Sequence, residues 1–241
     1  MNEFLFYIII LLSNIIQGIT GFAGTILAMP FSLRLVGIET AVPVLNLLGL
    51  LSGIYVFAGN YKKVDRIELK HVVIIMGASL IAGLYIKSLL SKSPRLLYII
   101  LGCIVIIIAL QGLLSIKRQS KPYINNYLLA IILIAAGIVH GMYVCGGPLL
   151  ISYMTRKLPE KSSFRATIST VWIFLNGMLF LSHILGGAFT PGVIKSSAIS
   201  LPFFLGGMFI GAKLYSKMSQ RFFVLLTYIL LLIAGISLFF K

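Results

Sequence analysis

"QGITGFAGTILAMP", residues 17–30, decides the fold. It follows the apolar run "NEFLFYIIILLSNII" (residues 2–16) and holds three glycines, two threonines, a glutamine and a proline. Glycine and proline are the weakest helix formers. Lipid nevertheless demands that every backbone N–H and C=O be bonded internally, so irregular backbone at bilayer depth must pack on protein or line a cavity. A second stretch, "HGMYVCGGPLLISY" (residues 140–153), repeats the irregularity 123 positions later.

The composition around these stretches sets the class. Of 241 residues, 59% are hydrophobic and 10% charged, where soluble domains carry roughly 25% charge. Mean hydropathy is +1.07. Apolar runs of helix-spanning length recur throughout, and the short alternating segments of a barrel do not appear. The expected fold is an all-α polytopic membrane protein, with 1–241 a single transmembrane domain. The formal charge of +15 comes from Lys and Arg lying between apolar runs. There they anchor helix ends to lipid headgroups, so the expected surroundings are a bilayer and no nucleic acid. The N-terminal run reads as a retained first helix, without the basic start and small-residue cleavage site of a signal peptide. Cys103 and Cys145 each sit inside an apolar segment and indicate no disulfide framework. No metal and no cofactor are expected.

Ten helical segments are expected, at about 3–17, 23–36, 39–58, 68–90, 94–115, 123–140, 146–157, 161–184, 191–213 and 219–240. The second and seventh are too short to span. Thr190-Pro191 and Ser93-Pro94 read as an N-cap followed by proline at the first helical position. An offset of 123 pairs Gln17 with His140, Gly18 with Gly141, Gly24 with Gly147 and Arg34 with Lys157. An offset of 125 pairs Ala41 with Ala166 and Lys70 with Lys195. The expected organisation is therefore a duplication, 1–120 and 121–241. Five segments per repeat is an odd number, so the second copy inserts upside down. With both termini outside, fourteen of the twenty Lys and Arg fall in cytoplasmic loops, Arg165 among them. Arg34, Lys87, Lys92, Arg95, Lys195 and Lys241 stay outside. That bias follows the positive-inside rule for a multi-pass protein of the cell (inner or plasma) membrane.

Interrupted segments at matching places in two inverted halves point to a transporter's substrate site. Gly147-Pro148 reads as a helix start whose N–H groups and positive dipole end face the gap. Two such ends meeting at the bilayer midplane would hold an anion. The five acidic residues (Glu3, Glu39, Asp65, Glu68 and Glu160) fall at ends or loops, so the intramembrane carboxylate of many cation carriers is missing. The polar groups left at depth are neutral and suit a small oxyanion. Candidate substrate-binding residues are Gln17, Thr20, Gly21, Gly24, Asn46, His140, Tyr143, Gly146, Gly147, Pro148, Ser169, Thr170 and Asn176. His140 is also the candidate for proton coupling. For any single glycine, close helix packing is the competing explanation. No P-loop, G-x-S-x-G, H-E-x-x-H or C-x-x-C occurs, and the expectation is that the chain is not an enzyme.

The glycine-rich break "GITGFAGTILAMP" with "TAVPVLNLLG" after it, and "HGMYVCGGPLLISYM" with "FRATIST" after it, resemble the sulfite exporter TauE/SafE family along essentially the whole chain. The family's first motif is closer to G-x-G-G-G, and Thr20, Ala23 and Thr25 interrupt it here. The resemblance implies an inner-membrane secondary transporter built from inverted repeats. It would export sulfite or a related organosulfur anion by alternating access, with Gly21, Gly24, Gly146, Gly147 and Pro148 as site-forming backbone. A channel-like anion conduit, an intramembrane enzyme and an assembly factor for a membrane complex are the alternative readings. Oligomeric state is left open, a homodimer included.

Overall fold

The computed structural model describes residues 2–89, 99, 102–103, 106–107, 109–110, 112–114, 125–144, 146–237 and 239. Among them no strand occurs. The helices are α1 (Asn2–Thr20), α2 (Ala23–Val36), α3 (Ile38–Asn60), a 3₁₀ turn at Tyr61–Lys63, α4 (Arg66–Leu89), α5 (Asn126–Tyr143), α6 (Gly147–Lys157), α7 (Lys161–Leu185), α8 (Pro191–Lys217) and α9 (Gln220–Ser237). Expected segment 94–115, Ser93-Pro94 and Cys145 lie wholly or largely outside the described residues.

Among the described residues five stretches are long and apolar enough to cross a membrane: Glu3–Thr20, Ile38–Lys63, Arg66–Ile86, Lys161–Leu185 and Pro191–Lys217. The chain is an all-α polytopic membrane protein. Helices α2 and α6 have 14 and 11 residues. At 1.5 Å per residue they reach about 21 and 17 Å, short of a hydrocarbon core of roughly 30 Å. Two sequence signals act as expected. The Thr190 side chain accepts from Val193 N at the start of α8, with Pro191 its first residue. Pro148 sits in the first turn of α6.

The breaks are shorter than expected. α1 continues through Gln17, Gly18 and Thr20, and only Gly21 and Phe22 separate it from α2. α5 likewise runs past His140 to Tyr143. Glycine alone does not stop a helix whose backbone is shielded by a neighbouring helix.

Contacts divide the chain into two compact units: Met1–Leu69 with Arg165–Met218, and Lys70–Phe164 with Ser219–Lys241. In the first unit α1 lies along α8 through glycine. A β-carbon on Gly207 would come within 2.6 Å of Leu11 O, and one on Gly18 within 2.9 Å of Met208 O. Gly207 and Gly211 are four apart, the small-xxx-small spacing that lets membrane helices touch backbone to backbone. In the second unit Gly137 and Gly141 of α5 have the same spacing. A β-carbon on Gly137 would meet Met76 O at 2.5 Å, and Gly141 sits against the Leu80 carbonyl of α4.

Candidate functional site

In the first unit the α1–α2 break is built from the side chains of α1. Gly21 has φ +83 and donates its N–H to Gln17 O at 2.7 Å. Without a β-carbon it accepts this left-handed turn at little cost. The Thr20 hydroxyl accepts from Phe22 N (3.3 Å) and Ala23 N (3.2 Å). Gln17 Oε1 accepts from Gly24 N at 2.8 Å. The N–H groups of Phe22, Ala23 and Gly24 at the start of α2 are thus bonded by side chains of α1. Gln17 Nε2 then donates to Ser52 Oγ (2.8 Å), which donates to Gly49 O (2.8 Å).

Glycine brings α3 and α7 together beside this chain of hydrogen bonds. A β-carbon on Gly53 would lie 2.6 Å from Ser169 O, and one on Gly49 would lie 2.9 Å from Asn176 Nδ2. Asn46 Nδ2 donates to Asn176 Oδ1 (3.3 Å) and to its carbonyl (3.4 Å). Asn46 Oδ1 and Ser169 Oγ are buried with no hydrogen-bond partner among the described residues. Ser169 abuts the break itself, its Oγ 2.6 Å from where a Gly21 β-carbon would stand. Gln17, Gly21, Gly24, Asn46, Ser169 and Asn176 are thus gathered in one buried neutral cluster. Thr170 is not part of it: its hydroxyl bonds Ala166 O of its own helix at 2.7 Å.

Arg165 is the residue here that the sequence reading did not single out as a site residue. It lies in α7, within the expected segment 161–184, and is only 4% exposed. Its Nε donates to Gly18 O at 3.0 Å, and Nη2 donates to the same carbonyl. Its guanidinium stacks on the Tyr215 ring with 4.3 Å to the centroid. The carbonyl is one of those left open at the C-terminal end of α1, where a cation is favoured. The available signal was helical spacing: Arg165, Ser169 and Asn176 recur at one-turn and three-turn intervals along "FRATISTVWIFLN".

In the second unit the break follows the same backbone plan. Val144 has φ 56 and donates its N–H to His140 O at 2.8 Å. A β-branched residue in the left-handed region is a genuine outlier. Gly146 packs against α5, where a β-carbon would lie 2.7 Å from His140 Cβ. His140 is buried in the last turn of α5. The N-cap of α6 is Gly146, which has no side chain to cap the helix start. The side chains of Tyr143 and Pro148 lie outside the described residues. Among the described residues no group of three or more His, Cys, Asp or Glu could hold a metal ion.

Fold and site together define a polytopic helical membrane protein with two short, interrupted helices and a buried polar cluster at one of the breaks. The family model described as sulfite exporter TauE/SafE matches residues 6–238, and the chain belongs to this family of membrane transport proteins. No curated protein and no solved structure matches the chain.

Proposed function

We propose that the protein carries a small oxyanion, sulfite or a related organosulfur anion, out across the cell membrane by alternating access. The observation that carries this reading is the polar cluster at the α1–α2 break. Gln17, Ser52, Asn46, Asn176 and Ser169 converge there, all buried, with Gln17 bonded to Ser52 and Asn46 bonded to Asn176. Buried polar groups in a membrane helix bundle are costly and mark substrate pathways. Neutral amides and hydroxyls donate well to an oxyanion, and the family is named for sulfite export.

Matching turns at the two breaks support the same reading, with the second half an inverted copy of the first. Gly21 and Val144 are 123 residues apart, both have positive φ, and both donate to the residue four before them, Gln17 and His140. Interrupted helices at matching points in two inverted repeats are how many carriers build a binding site. No additional energy source is needed for export, since an inside-negative potential expels a monoanion with about 2.3 kcal/mol per 100 mV. The charge bias puts both termini outside.

Purified protein in liposomes with a set potential, offered sulfite, sulfate, thiosulfate and a small sulfonate, tests the reading. Saturable flux of one anion, lost in Gly147→Leu, is expected. Absence of flux from folded protein would transfer the case to an assembly role.

A further inference from the structure

We infer that Arg165 and Ser169 of α7 form an oxyanion-binding pair at the α1–α2 break, with Arg165 supplying the charge for the substrate. The inference rests on the transport reading above and names the residues that recognise the anion.

The first ground is electrostatic. A guanidinium carries a full positive charge at any relevant pH. Arg165 is buried, and among the described residues its partners are the Gly18 carbonyl and the Tyr215 ring. Neither is an anion. A helix end carries about half a negative charge, and a ring face offers a quadrupole. Burying a charge without a counter-charge is expensive, and more so within a bilayer. One carbonyl also cannot engage every N–H of the fork. Charge and donors are both left for an anion.

The second ground is independent of the first. The Ser169 hydroxyl, 1% exposed, has no hydrogen-bond partner among the described residues. It stands one turn along α7 from Arg165, on the same face, and both border Gly21: a β-carbon there would lie 2.6 Å from Ser169 Oγ and 3.3 Å from Arg165 Cγ. Leaving a buried hydroxyl unbonded has a cost that a ligand would remove. A planar fork beside a hydroxyl donor is the geometry that grips a tetrahedral or pyramidal oxyanion. Gly18 O fixes the fork in place, so substrate binding and the end of α1 are linked through one side chain.

The chain's one tryptophan, Trp172, is three residues beyond Ser169, on the same side of α7. Its fluorescence gives a binding readout separate from transport. In detergent, sulfite should change the Trp172 emission saturably and raise the melting temperature of the unsubstituted protein. Ser169→Ala should weaken sulfite binding by about tenfold, while its melting temperature without sulfite stays level or rises, because an unbonded buried hydroxyl has gone. Arg165→Lys keeps a charge but loses the fork and should weaken binding by at least about tenfold. Both should raise KM for flux in liposomes more than they lower kcat. If both variants bind sulfite with unaltered affinity while the unsubstituted protein transports it, Arg165 is only a helix cap and the inference falls, with transport intact. If the unsubstituted protein neither binds nor moves any of the anions, the transport reading fails and takes the inference with it.

Discussion

At the scale of single residues, two left-handed positions have different prospects. Gly21 needs its φ of +83, and any side chain there also meets Ser169 Oγ. Val144 adopts φ 56 in spite of its branched β-carbon. A left-handed L-residue costs roughly 1–2 kcal/mol, which glycine does not pay. Val144→Gly relieves that strain but removes a buried side chain, so it should change stability by no more than about 1 kcal/mol, whereas Gly21→Val should lower it by more, both measured by unfolding in detergent. Gln17 is a third case. Its amide links Gly24 N to Ser52, so Gln17→Ala leaves a buried donor and a buried hydroxyl without that partner, at a cost of about 1–3 kcal/mol by the same measurement. The neutral site residues were legible in the sequence because buried amides and hydroxyls at helical spacing have few other uses at depth. Arg165 was not, because the sequence shows it only as one more basic residue near the start of the segment 161–184. Its burial depends on a carbonyl 147 residues away in sequence, and no local pattern reports that.

Among elements, glycine does two different jobs. Gly18, Gly207 and Gly211 let α1 and α8 touch, and Gly137 and Gly141 do the same for α4 and α5. Gly59, near the end of α3, has nothing within 4 Å of its would-be β-carbon. Gly59→Ala should thus be neutral or stabilise by up to about 1 kcal/mol through helix propensity. Gly207→Ala should destabilise by about 1–3 kcal/mol, because the Leu11 carbonyl is backbone and cannot step aside. Unfolding midpoints of the pair separate packing glycines from incidental ones. Short α2 and α6 were readable from length and proline placement. The narrowness of the breaks was not, since α1 and α5 continue through glycines that tertiary contact shields. Nor could the capping of α2 by Gln17 and Thr20 be read, because it depends on the angle at which the chain turns through Gly21.

For the whole molecule, the class follows from the long apolar helices and the family from the match over residues 6–238. Orientation rests on charge bias, and it has its own check. In a background with Cys103 and Cys145 replaced by serine, Lys195→Cys should react with a membrane-impermeant thiol reagent in intact cells. Lys62→Cys should react only after lysis. Both lysines are exposed, so access reports the side of the membrane. The central claim, that this chain is a carrier for a small sulfur oxyanion, is tested most directly by counterflow. Liposomes holding the protein are loaded with unlabelled sulfite and diluted into a trace of labelled sulfite with the membrane potential clamped at zero. A carrier that exposes one site alternately to each side predicts a transient accumulation of label above the equilibrium level, abolished by Gly147→Leu. Label that enters only to equilibrium, without the overshoot, would contradict alternating access and describe a conduit; no entry at all would contradict sulfite transport.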